Sequence, residues 1–188
     1  ICLEAVKQNG MTLEYVKEQT EKICLEAVKQ NGMTLEYVKD QTEEICLEAI
    51  KLNPSSAIYV KNHTAKTCTH ILKTNFNNYN KIKNPTEEIN LIAVLTNSEC
   101  LQLITNPSTE VCLSAVACDG FALRYVKNQT EEICLEAIKE NPGAIRRVKT
   151  QTLNICLAAV KSNEHLINYV DTKYYEACKS VIKKIMKK

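Results

Sequence analysis

ICLEAVKQNGMTLEYVKEQTEK (residues 1–22) is followed directly by ICLEAVKQNGMTLEYVKDQTEE (residues 23–44). The two stretches differ only at Glu18/Asp40 and Lys22/Glu44. Isoleucine or valine followed by cysteine recurs in the same register at Ile45, Val111, Ile133 and Ile155. The 188 residues divide into eight blocks of twenty-two, at 1–22, 23–44, 45–66, 67–88, 89–110, 111–132, 133–154 and 155–176, with a remainder at 177–188. One block of this length cannot bury its own apolar face, so a fixed period of this size means a stacked array.

Within a block, repeat position 20 is threonine or serine from Thr20 to Thr152, and acidic residues usually follow, as at Glu43-Glu44 and Glu131-Glu132. A hydroxyl followed by carboxylates is a helix start, because the oxygen accepts from orphan N–H groups and the charges suit the helix dipole. The helix runs through ICLEAVK, with Ile1, Cys2, Ala5 and Val6 facing inward and Leu3 widening that face. Position 9 is Asn in every block except at Asp119, and glycine or proline follows in five blocks. Asn tolerates the left-handed conformation that ends a helix and also caps the next one, so it opens a short second helix carrying Leu13 and Val16. The expected fold is all-α: an α-solenoid of eight 22-residue helix-pair repeats plus a capping helix at 177–188, where Cys178, Val181 and Ile182 match positions 2, 5 and 6. The unbroken period implies one elongated domain, residues 1–188, roughly 70–85 Å long at about 9–10 Å per block. Residue 1 falls inside the helical pattern with no initiator Met, which points to a segment of a longer chain.

LEAVKQNG, LEYV and T-E-x-I-C-L, taken together, resemble the short tandem repeats classed as a domain of unknown function that abound in giant DNA viruses and some protists. The resemblance is strongest in blocks 1–3 and 6–8. It implies helical repeats and a viral or protist source, and it brings no catalytic residues.

Eight of the ten cysteines stand at repeat position 2. Equivalent residues in neighbouring helices lie about 9–10 Å apart, whereas a disulfide needs Cα atoms within about 7 Å. These thiols are expected to be reduced, buried and used as small apolar side chains in an intracellular, reducing compartment: host cytoplasm, or the virion if the source is viral. A zinc ladder is the alternative, but no histidine keeps register with the cysteines. No metal, cofactor or catalytic residues are expected. His63, His70 and His165 share no register, the glycines read as turn glycines, and Cys100 and Cys118 have no base nearby in sequence. No apolar run is long enough to span a membrane.

Two features could carry function. Lysines at position 17 (Lys17, Lys39, Lys61) with tyrosines at position 15 (Tyr15, Tyr37, Tyr59) form ladders that could track and stack on a single-stranded nucleic acid. Composition disfavours that partner. There are only three arginines, and five lysines of the +2 chain sit in residues 179–188, leaving the rest at −3. The second feature is the irregular stretch of blocks 4 and 5, where Phe76, Asn78, Tyr79 and Ile92 depart from the consensus. Either that segment drifted under weak constraint, or it is where the array meets a protein partner. The resulting expectation is a non-enzymatic helical-repeat scaffold for protein–protein interaction, structural or host-directed in a giant virus, with the nucleic-acid binder as alternative.

Overall fold

The computed structural model describes residues 2–186. The protein is an all-α solenoid, and no strand occurs among the described residues. Its contacts divide it into two compact units, Ile1–Thr96 and Asn97–Lys188, within what the sequence marks as one repeat array.

The first unit holds α1 (Cys2–Gln8), η1 (Gly10–Tyr15), α2 (Glu21–Gln30), η2 (Gly32–Tyr37), α3 (Glu43–Leu52), η3 (Pro54–Tyr59), α4 (Ala65–Thr74), η4 (Phe76–Lys81) and α5 (Glu87–Thr96). The second holds η5 (Ser98–Leu103), α6 (Thr109–Cys118), η6 (Gly120–Tyr125), α7 (Glu131–Glu140), η7 (Pro142–Arg147), α8 (Leu153–Ser162), η8 (Glu164–Tyr169) and α9 (Thr172–Ile185). Each block is thus an α-helix followed by a six-residue 3₁₀ helix, whose i→i+3 bonds include Thr12 N–H to Asn9 O at 3.0 Å.

The α-helices begin where the hydroxyls predict: Thr130 accepts from the Ile133 N–H at 3.3 Å, and Thr20 and Thr152 do the same in their blocks. Positions 1, 2, 5 and 6 form the core face, as in Ile45, Cys46, Ala49 and Ile50 of α3, and Leu35 and Val38 of the preceding block are buried with them. Ile1 lies outside the described residues.

Position 9 departs from the expectation. Asn9 and Asn31 are extended (φ −147° and −154°), not left-handed, and each side chain caps its 3₁₀ helix by accepting from the N–H two residues on. The glycine that follows is needed for close approach. A Cβ on Gly10 or Gly32 would stand 2.5 Å from the carbonyl oxygen of Ala27 or Ala49 in the next block. Left-handed backbone occurs instead at Asn84 (φ 48°) and Asn106 (φ 53°), each just before a proline.

The capping helix also differs. It starts at Thr172 rather than at 177, because Tyr174 stands where the other blocks have the capping hydroxyl. Cys178 is buried as expected, while Val181 and Ile182 are half-buried. Lys187 and Lys188 of the basic tail lie outside the described residues.

Candidate interaction surfaces

On the outer face of the α-helices, positions 4 and 7 pair along the helix: Glu26–Lys29 and Glu48–Lys51 at 3.6 Å, Glu136–Lys139 at 3.0 Å, and Glu4–Lys7 at 3.9 Å. Such exposed pairs stabilise by only a few tenths of a kcal/mol. They mark a solvated surface. In α5 the same two positions are Ile92 and Leu95. Leu95 is 62% exposed, and Ile92 and Leu91 beside it are half-buried. Block 5 therefore presents an apolar strip where its regular counterparts present an ion pair.

Of the other irregular residues in blocks 4 and 5, Tyr79 is buried, and Phe76 and Asn78 are half-buried. Tyr79 is 5% exposed and occupies the core position filled by Leu13 and Leu35 elsewhere. Its hydroxyl donates to Asn90 Oδ1, and Asn90 stands where the other blocks have cysteine. A buried tyrosine needs a hydroxyl partner, so the two departures from consensus satisfy each other. Asn78 Nδ2 donates to Ile71 O at 3.2 Å and Thr74 Oγ1 at 3.0 Å. Phe76 is half-buried. Of the four expected contact residues, Phe76 and Ile92 retain accessible apolar surface.

The joints between blocks rest on a residue type that the sequence reading passed over. Gln41 donates Nε2 to Leu35 O (3.2 Å) and to Tyr59 O (2.9 Å) of the next block, and its Oε1 accepts the Lys61 N–H (2.9 Å). Gln19, Gln129 and Gln151 hold the same position and repeat this bridge to the next block. The signal in the sequence is glutamine recurring at position 19 in blocks 1, 2, 6 and 7. His63, Pro85 and Pro107 replace it in blocks 3, 4 and 5. Both ring nitrogens of His63 are buried without a hydrogen-bond partner. Burial, with Lys83 nearby, holds its pKa below the ordinary histidine value.

The position-17 lysines belong to the same joints. Lys39 Nζ donates to Lys17 O at 2.8 Å, Lys61 Nζ to Lys39 O at 2.7 Å, and Lys149 Nζ to Lys127 O at 2.9 Å. Their ammonium groups are folded back on backbone carbonyls rather than held out as a free ladder.

Tyr15, Tyr37 and Tyr59 lie on successive 3₁₀ helices, and Tyr15 is 80% exposed. Their neighbours are acidic. Glu14 raises the Tyr37 pKa, and partial burial together with Glu36 raises that of Tyr59. In the second unit arginine takes the position of those glutamates: Arg146 lies over the Tyr169 ring at 4.3 Å, and Arg124 over Tyr125 at 4.6 Å.

All ten cysteines are free thiols. Seven of the eight at position 2 are buried, and Cys2 is exposed. Burial raises the Cys68, Cys100 and Cys156 pKa values to about 11, which keeps them as thiols. Cys118 is exposed. Among the described residues no three His, Cys, Asp or Glu side chains gather as metal ligands would, and no helix is long and apolar enough to cross a membrane.

No curated protein and no solved structure matches the chain. A family model described as a domain of unknown function, DUF4116, matches residues 1–42 and, overlapping them, residues 20–63. The first three blocks are thus similar to a repeated domain of unknown function.

Proposed function

We propose that the chain is a non-enzymatic helical-repeat scaffold that binds a protein partner through the outer face of block 5. The observation that supports this is the Ile92–Leu95 strip. Stacking does not need it, because blocks 1, 2, 3 and 7 stack with a Glu–Lys pair at the same two positions. An exposed apolar strip where four other blocks carry an ion pair marks a contact surface. The proposed setting, from the repeat resemblance and the buried thiols, is a reducing interior, as a structural or host-interaction protein of a giant virus.

The test is the double substitution Ile92→Glu with Leu95→Lys, which restores the consensus pair. It is expected to leave thermal stability within about 0.5 kcal/mol and to abolish partner capture from an extract of the native source. Unchanged capture would overturn the proposal.

The nucleic-acid alternative through Tyr15, Tyr37, Tyr59, Lys17, Lys39 and Lys61 is less well supported. Lys39 and Lys61 are tied to carbonyls, and Glu14 and Glu36 flank the tyrosines.

A further inference from the structure

The three arginines of the chain, Arg124, Arg146 and Arg147, all fall on η6 and η7 in the second unit. In the first unit, position 14 of one block meets the tyrosine at position 15 of the next, as Glu14 does at Tyr37 and Glu36 at Tyr59. Arg146 and Tyr169 keep that relationship with the charge reversed. Arg124 would meet Arg147 in the same way. Instead it turns to its own neighbour Tyr125 and to Glu99, 3.0 Å away. Arg146 and Arg147 are both exposed.

The geometry points to this face as a binding surface for single-stranded nucleic acid. A guanidinium already held over a tyrosine ring, as Arg146 is over Tyr169 at 4.3 Å, has less freedom to lose on binding a ligand. Such a guanidinium can stack on a base and donate its N–H groups to a phosphate. An acidic peptide would use only the edges. Lys149 is folded back on the Val126 and Lys127 carbonyls and adds no free ammonium, and Glu99 is already engaged by Arg124. A whole-chain charge count dilutes this cluster, which is why composition disfavours nucleic acid while the local surface does not. This proposal uses none of the residues of the apolar strip on α5.

The experiment is fluorescence anisotropy of a labelled oligouridylate on the full chain at low salt. Binding is expected in the range typical of non-specific contacts, Kd about 10⁻⁴ to 10⁻⁶ M, with a log–log salt slope of roughly −2 to −3 for three to four phosphates. Arg146→Gln with Arg147→Gln should weaken it on the order of 10- to 30-fold with an unchanged thermal melt. Arg146→Lys with Arg147→Lys should keep the salt slope yet lose affinity, because the plane is gone. Lys73→Gln, remote in sequence on α4, should change nothing. No binding at low salt would overturn the inference, as would equal loss with Lys73→Gln. Competition by polyglutamate as effective as by unlabelled oligouridylate would also overturn it, and would assign the surface to an acidic protein.

Discussion

Gln19 and Lys39 are twenty residues apart in sequence, yet Gln19 Oε1 accepts the backbone N–H of Lys39 at 3.0 Å. The same side chain donates to Tyr37 O at 2.9 Å, so one amide fixes the register of the next block. Removing the amide takes this partner from the part-buried Tyr37 carbonyl and from the exposed Lys39 N–H.

Gln151→Ala is therefore expected to cost about 2 kcal/mol, because its bonds to Tyr169 O and from the Asp171 N–H are part-buried. A chemical-denaturation series checks this. A loss below about 0.5 kcal/mol would show that solvent replaces the bridge.

His63 occupies the bridging position without making the bridge. Its folded pKa lies below the unfolded value, held there by burial first and Lys83 second. Above about pH 6.5 both states are neutral and the group contributes no proton linkage. As pH falls below that value the unfolded chain takes up a proton that the folded chain refuses, so stability is lost until the folded pKa is reached. His63→Gln is expected to remove this acid-side loss and to raise stability at neutral pH. Melts of the two proteins between pH 5 and 8 test it; parallel pH profiles would contradict it.

Thr130→Ala is expected to weaken α7 by about 1 kcal/mol, the usual value of a helix N-cap. Thermal melting reads this. Thr130→Ser should recover most of the loss, since the accepting oxygen is kept.

Much of the fold was legible because its causes are local. A hydroxyl cap such as Thr130, the inward set Ile133, Cys134, Ala137 and Ile138, and the Asn141-Pro142 break each act within a few residues, and the period then copies them. The Gln bridges were not legible as such, because their partners lie eighteen and twenty residues away. Gly10 was read as a turn residue, but the carbonyl it makes room for belongs to the next block. Tyr79 shows in the sequence only as a departure from the consensus, because its partner Asn90 lies eleven residues on, in α5. Ile92 kept its place as a candidate contact because the comparison behind it, with Glu26, Glu48 and Glu136, is itself a comparison of sequence positions.

Thiol accessibility follows the stack. Cys2 and Cys118 are expected to react within the mixing time of a thiol reagent on the native protein, and the other eight only on unfolding. Mass spectrometry of partially labelled protein separates the two classes. Rapid labelling of Cys68 or Cys156 would show that the core assigned to position 2 is open.

A site-specific photo-crosslink tests the scaffold proposal most directly. A benzophenone amino acid is placed at Leu95 in one protein and at Lys51, the equivalent position in block 3, in another. Both are then irradiated in an extract of the native source. The expected result is one defined protein adduct from position 95 that Ile92→Glu removes, and none from position 51. Equal adducts from both positions, or none from 95, would contradict a partner contact on the outer face of block 5.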